Sequence, residues 1–243
     1  MHKIAFFALA VLILVAAGCS FPKSASNANP TSTGLSNGII FQNGFTSTLG
    51  NPTVSASSNG ILFQDSFTDT NSGWPHHLTV NSSMDYASGG YRIYVTTTDL
   101  LAFAISGRSF PSNVSIGVDA TKTAGPDDNY IGVICRYEDA NNFYFFAISS
   151  DGYAGIAMFK DGSMSMLSGS QFAPSTAINQ GAATNHIRAD CIGDALTLYV
   201  NGTQVNTATD TTFDAGGDTG LMARANSTSG VDILFKNFIV SKP

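Results

Sequence analysis

Charge is scarce in this chain. Asp, Glu, Lys and Arg make up 12% of its 243 residues, and the 11 basic side chains are scattered rather than clustered. No basic stripe is present to neutralise a phosphate backbone, so nucleic acid is a poor partner. No apolar stripe of helical period reaches helix length, which argues against an α-helical architecture. A G-x-S-x-G elbow, a phosphate-binding loop and a dinucleotide fingerprint are all missing, and with them the chemistries those motifs serve. Tryptophan occurs once, at Trp74, and glutamate once, at Glu138. What is present instead is 24 Gly with abundant Ser, Thr and Asn. That composition fits an exported β-protein whose solvent face is rich in hydroxyls and amides.

The first residues read MHKIAFFALAVLILVAAGCS. A basic start (His2, Lys3) leads into an unbroken apolar run, Ile4 to Val15, and then into the small residues Ala16, Ala17 and Gly18 before Cys19. A run this short, ending in small residues, reads as an export signal over 1–18 rather than a membrane span. The A-A-G-C ending resembles the bacterial lipobox, although Ala16 stands where Leu is usual. The resemblance implies lipidation of Cys19, a membrane anchor through that lipid alone, and, from Ser20, outer-membrane sorting. An ordinary signal peptide is the alternative. Residues 19–57 come next as a tether whose Ser/Asn/Thr/Gly/Pro composition cannot bury enough apolar surface to fold alone. Within it SNGIIFQNGFTST (Ser36 to Thr48) recurs as SNGILFQDSFTDT (Ser58 to Thr70), identical at nine of thirteen positions. One duplication is too little for a repeat architecture. The second copy is expected to form the first strand of a domain covering 58–243, and the first copy to be a local duplication or an added edge strand.

From Ile61 onward the pattern is strand after strand. Val114, Ile116, Val118 and Ala120 alternate with polar or small residues, as do Leu196, Leu198 and Val200. Such period-two alternation marks half-buried antiparallel strands. Turn signals sit at Gly89-Gly90, Asp151-Gly152, Asp161-Gly162, Asn201-Gly202 and Gly216-Gly217. Many short strands at this spacing predict an all-β, two-sheet sandwich. In the last strand Val231, Ile233 and Phe235 share a face with Phe238 and Val240 only if one residue is inserted near Asn237, which predicts a β-bulge.

FQDSFTDTNSGW, GGYRIYV, NYIGVICRYEDANNFYFFAISSDGY, NHIRADCIGDALTLYVNGTQV and GLMARANSTSGVDILFKNFIVSKP succeed one another in order. That series resembles the concanavalin A-like jelly-roll superfamily, in the branch of laminin-G-like modules and the 3-keto-disaccharide hydrolase domain. The resemblance covers about 61 to 243 and rests on architectural hairpins. It implies a jelly-roll β-sandwich, and it spans lectins, carbohydrate-binding modules, adhesion modules and glycosidases, among which fold cannot choose. Glycosidases use two carboxyl groups, and the jelly-roll β-glucanases that resemble this fold carry a Glu-x-Asp-x-x-Glu cluster. A chain with one glutamate lacks it. Asp119, Asp151 and Asp190 remain for another arrangement, so no catalytic residue is assigned.

Strand parity locates the other candidates. Ile131, Val133, Cys135 and Tyr137 share one face of their strand, with Gly132, Ile134 and Arg136 on the other. Ile187, Ala189 and Cys191 likewise oppose Arg188, Asp190 and Ile192. Both cysteines fall with the apolar set, so a core Cys135–Cys191 disulfide is expected if those strands are neighbours, two buried thiols being the alternative. Arg136, Arg188 and Asp190 are expected on an outward face. An arginine fork there can bind paired sugar hydroxyls and aromatic rings can stack on a pyranose, with Tyr144, Phe146, Tyr199, Asn201 and Trp74 as partners. The plainer readings are an exposed Arg136–Asp190 ion pair and a Trp74 that plugs one end of the core. No cofactor is assigned. His76-His77 lacks a third ligand at useful spacing. The oxygen-rich loops Asp127-Asp128-Asn129 and Glu138-Asp139 with Asn141-Asn142 leave structural calcium as a weak alternative, without ordered ligand spacing. The reading is a lipid-anchored envelope protein that binds a glycan or another surface polymer without catalysis. A sugar hydrolase of the 3-keto-disaccharide type and a structural adhesion module with a protein partner are the alternatives.

Overall fold

The computed structural model describes residues 60–243. The export signal, Cys19, the tether and the first repeat copy therefore lie outside the described residues. Strands in chain order are β1 (Ile61–Asp65), β2 (His77–Leu78), β3 (Ser82–Ala87), β4 (Gly90–Val95), β5 (Leu101–Ile105), β6 (Val114–Ala124), β7 (Asn129–Asp139) and β8 (Asn142–Ile148). They continue as β9 (Tyr153–Lys160), β10 (Ser163–Met166), β11 (Ala173–Pro174), β12 (Thr184–Ile192), β13 (Ala195–Val200), β14 (Thr203–Thr209), β15 (Asp218–Ala225) and β16 (Val231–Ser241). The second repeat copy does supply the first strand, β1.

Two antiparallel sheets result. One runs β14-β13-β12-β6-β16-β4-β3-β2 with β1 also on β16, and the other runs β10-β9-β8-β7-β15-β5 with β11 on β9. Neighbours that are distant in sequence, such as β6 beside β12 and β16, make the long crossovers of a sandwich. The alternating residues behave as their period requires. Val114, Ile116, Val118, Ala120, Leu196, Leu198 and Val200 are all buried in the core between the sheets, while Ser115, Thr121 and Thr197 stay half-buried outside it. The two-residue turn Asn201-Gly202 joins β13 to β14 with both residues at positive φ, as a tight hairpin requires. The bulge expected near Asn237 is present: Asn237 has φ 55° and the β16–β6 register shifts between Lys236 and Ile239.

Cys135 and Cys191 form a disulfide. They do not sit on neighbouring strands. Cys135 is on β7 of the seven-stranded sheet and Cys191 on β12 of the nine-stranded one, so the bond staples the two layers through the core.

Arg136 departs from expectation. Strict alternation puts it opposite Cys135, facing out, yet it is only 2% exposed. Its φ is 50°, and the pairing of β7 slips on both sides, after Cys135 against β8 and between Asp218 and Gly220 against β15. A bulge at this point adds one residue to β7 against β15 and two against β8, so Arg136 turns inward and Tyr137 outward. Tyr137, expected to point inward like Cys135, instead packs on the outer face against Phe103 and Phe143.

Candidate functional site

The expected site residues do not converge. Arg136 donates to three main-chain carbonyls, those of Ser112 (3.0 Å), Phe213 (2.8 Å) and Gly193 (2.7 Å), and so ties together loops at one end of the sandwich. Tyr144, opposite Cys135 in the β7–β8 register, also faces the core. Its hydroxyl donates to Asp210 Oδ1 (2.5 Å) and accepts from the Phe213 N–H (3.0 Å). Phe146 is buried in the same core. Trp74 is 2% exposed, wedged edge-on against Phe67 and Phe238, with its indole N–H on Asp65 Oδ2 (3.0 Å). It plugs the core. Asn201 uses its side chain to accept from the His186 N–H and to donate to Ala177 O and Asn185 Oδ1, each within 2.9 Å.

Arg188, Asp190 and Tyr199 do meet, on the outer face of the nine-stranded sheet. Arg188 and Tyr199 are directly paired across β12 and β13, and the guanidinium carbon lies 3.8 Å from the ring centroid. Asp190 faces Arg188 Nε at 3.2 Å and accepts from Ser115 Oγ at 2.6 Å. These groups pair with one another on the outer face, although Arg188 Nε makes no hydrogen bond, and such a pair is worth about 1 kcal/mol or less. The Tyr199 ring, covered by Arg188, offers little platform. Asp119 is occupied by His186 Nδ1 and by Asn237.

A different region has the makings of a site. The hairpin β8–β9 turns through Ser149, Ser150, Asp151 and Gly152. Gly152 has φ +98°, and a Cβ there would come within 2.4 Å of Gln180 Nε2, so the position suits glycine alone. The turn is held from several directions. Asp151 N–H donates to Asp127 O, Ser175 N–H to Gly152 O and Gly181 N–H to Ser150 O, all within 3.1 Å. Buried Asn129 adds a clamp, accepting from Ser150 N–H (3.1 Å) and donating to Pro126 O (2.7 Å). A turn pinned in this way presents Asp151 and Tyr153 in a fixed relation.

Tyr153 is 41% exposed, one of few large hydrophobic side chains left open among the described residues. On one side of the Asp151–Tyr153 segment lies a hollow of about 270 Å³ lined by Asp128, Tyr130, Ser149, Gln171, Phe172 and Asn226. On the other lies one of about 370 Å³ lined by Pro174, Ser175, Thr176 and Gln180. Both volumes lie near the lower end for small-ligand clefts. Tyr130 and Phe172 stack at 4.4 Å and 20°, giving the first hollow a stiff aromatic wall. Burial raises the Tyr130 phenol above its usual pKa, so it stays a hydroxyl donor near neutrality. Asp128 is moved the other way: hydrogen bonds from Ser227 and Asn226 hold its carboxylate below the usual range.

A larger hollow, about 550 Å³, opens along Gln64–Asp69 and Asn237–Ile239. Most of its polar groups are already engaged, Gln64 excepted. Asp65 accepts from Phe67 N–H and Trp74, Ser66 bonds Thr68, Asp69 accepts from Asn71 N–H, and Asn237 binds Asp119. Its one aromatic lining residue, Phe238, is buried. Among the described residues no group of three or more metal-ligating side chains gathers. The oxygen-rich loops are likewise internally engaged, Asp127 with Lys122 and Asp139 with Asn141 and Asn142.

Sequence reasoning named Asp151 only as a spare carboxylate and missed Tyr153. Both belong to a plain turn signal, Asp151-Gly152, but the loops that pair with that turn come from residues 126–129 and 174–181, which nothing local announces. Also missed was the outer face of the seven-stranded sheet, where Ile134, Phe143, Phe145, Ala147, Ala157 and Met222 form a second buried apolar cluster. The signal was present in β8, whose FYFFAI has no alternation and reads as a strand buried on both faces.

No protein-family model matches the sequence, and no curated protein matches it. Solved structures show the fold. A carbohydrate-binding module, CBM66, from Bacillus subtilis superposes with a TM-score of 0.55 at 21% identity, over 70% of this chain and 96% of that one. A β-glucanase from Bacillus licheniformis gives 0.55 at 11% identity, over 74% and 98%. A Bacillus subtilis protein with a galectin-like fold gives 0.56 at 8%, over 75% and 96%. The domain has the jelly-roll sandwich fold. At these identities the likeness extends to architecture alone.

Proposed function

We propose that the chain is exported, anchored to the envelope through a lipid on Cys19, and binds a glycan without hydrolysing it, using the groove around Tyr153. The observation that carries this reading is an exposed tyrosine on a pinned turn between two hollows that offer both polar groups and an aromatic wall. That is the make-up of a sugar subsite, where a ring covers the apolar face of a pyranose and fixed polar groups take its hydroxyls. The carbohydrate-binding module among the structural neighbours supports the same direction.

The carboxyl groups favour binding over hydrolysis. A glycosidase needs one carboxyl kept protonated near neutrality as the general acid. Burial does raise Asp218, but Asp218 accepts from Ser106 Oγ at 2.6 Å, and neither residue lines the groove. In the groove, Asp128 is held ionised.

A glycan array probed with the mature chain, with calorimetry on the sugars retained, tests the proposal. Tyr153→Ala should weaken binding about tenfold, the equivalent of roughly 1.4 kcal/mol, with an unchanged melting curve because the ring is exposed. Failure of every sugar to bind at millimolar concentration would overturn the glycan reading. Release of new reducing ends during incubation would overturn its non-catalytic half and favour the sugar hydrolase instead.

A further inference from the structure

We infer that the ligand of the Tyr153 groove is an unbranched, uncharged β-1,4-linked polysaccharide, which runs from that groove along β9 over the outer face of the seven-stranded sheet. This rests on the glycan-binding reading and deepens it. Every second residue of a strand points the same way, so Tyr153, Gly155, Ala157 and Phe159 share the outer side of β9. At about 3.3 Å per residue, the row from Tyr153 to Phe159 is roughly 20 Å long. Gly155 leaves no gap in it. A Cβ there would come within 2.4 Å of the Phe172 ring, so Phe172 lies over the strand at that point. Phe172 in turn stacks on Tyr130 at 4.4 Å, and this pair is the wall of the 270 Å³ hollow. Both rings also belong to the apolar cluster of the outer face. The groove and that face are therefore one continuous surface.

The surroundings of the row define what can lie on it. Its neighbours on β8 are Phe143, Phe145 and Ala147, and on β10 Met164 and Met166, so no charged side chain borders it on either side. Arg224, on β15, lies against the Tyr130 ring and gives its Nη2 to Asp99 Oδ1 (2.6 Å). A uronate or sulfate on this row would lose water without gaining a cation, which is costly. Phe159, stacked on Phe143 at 5.1 Å, is half-buried, and Met164 beside it is 41% exposed. The far end of the row is thus open and apolar, with a thioether that adapts to the shape laid against it. A β-1,4-linked chain of equatorially substituted pyranoses is a straight ribbon with C–H groups on its two faces and hydroxyls along its edges. Such a ribbon can stack on a straight aromatic row while its edges stay in water. An α-1,4-linked chain curves away from the strand, and a branch lifts the chain off it.

Calorimetry on the mature chain at pH 7 can test this with the disaccharide and hexasaccharide of cellulose and of chitin, together with maltohexaose and a polygalacturonate hexamer. At least one of the two β-1,4 hexasaccharides should bind at least tenfold more tightly than its own disaccharide, the curved maltohexaose and the charged hexamer. Met164→Glu sets a charge on the row at an exposed position. It should remove most of that advantage of length and leave disaccharide binding unchanged. Ile192→Glu, exposed to the same degree on the other sheet, should keep the advantage. Tyr153→Ala should weaken disaccharide and hexasaccharide alike. Equal, Tyr153-dependent binding of the two lengths would overturn the extended-chain assignment and leave the glycan reading standing. An advantage that survives Met164→Glu, or that maltohexaose shares, would overturn it in the same way. A dimer in sedimentation that Met164→Glu dissociates would show that a second copy of the chain covers this face, and would overturn the assignment too. No binding of any probe at millimolar concentration would overturn it together with the broader reading.

Discussion

Arg136 is a buried cation whose hydrogen bonds all go to carbonyl oxygens. Burial lowers its pKa, but a guanidinium starts so high that it remains charged. Three carbonyls from three separate loops satisfy it, and that of Phe213 would otherwise be a buried acceptor short of a donor. Beside it, Tyr144 and Asp210 form a second polar contact in the same end of the core. For Asp210, burial favours the protonated form, yet the hydrogen bonds from Tyr144 and Thr212 win and hold the carboxylate below its usual range. Burial, and then the bond to that carboxylate, push the Tyr144 phenol up to about 12. A phenol whose folded pKa lies above the unfolded value of about 10 contributes stability that is complete below pH 10 and lost as pH rises toward 12. The melting temperature should therefore fall between pH 10 and 12, and fall less steeply in Tyr144→Phe. Parallel curves for the two proteins over that range would show that Tyr144 ionises as freely folded as unfolded.

At the scale of the element, a bulge is legible only when buried apolar residues lie beyond it. After Asn237 the chain returns to apolar residues, Phe238 and Val240, so the skipped position shows in the spacing. After Arg136 it runs Tyr137-Glu138-Asp139, with no buried aliphatic to betray the shift. The inward turn of Arg136 was illegible for that reason, although the alternation on β6 and β13 was plain. The groove was half legible: the turn at Asp151-Gly152 is local, and its walls are not. Gly152 links the two. With φ +98° and Gln180 standing where a Cβ would go, Gly152→Ala should cost about 1–2 kcal/mol in urea unfolding. It should also weaken glycan binding, because Asp151 and Tyr153 flank the distortion. Equal stability with unchanged affinity would mean that the turn adapts without moving either side chain.

Across the whole molecule, the two layers are joined by more than apolar packing. The nine-stranded sheet keeps a polar outer face, the seven-stranded sheet is apolar on both sides, and between them runs the Cys135–Cys191 bond. The bond and the Arg136 cluster reinforce the same junction. Cys135 immediately precedes Arg136 on β7, and Arg136 Nη2 reaches Gly193 O, two residues beyond Cys191 on the turn that leaves β12. Closing a loop of 56 residues stabilises by roughly 4 kcal/mol on the chain-entropy model, which for a domain of this size corresponds to about 8–16 °C in melting temperature. The paired substitution Cys135→Ser with Cys191→Ser should show a loss of that order. Arg136→Leu should cost about 3 kcal/mol, since it removes three charge-assisted hydrogen bonds and strands the buried Phe213 carbonyl. Because both devices hold β7 against the β12–β13 turn, their effects should not add. Once the disulfide is gone the turn can move away and hydrate the Gly193 carbonyl, so removing Arg136 as well should cost about 0.5–3 kcal/mol less than the sum of the separate losses. Urea unfolding of the four proteins gives the coupling directly, and strict additivity would show that the staple and the guanidinium act on independent parts of the interface.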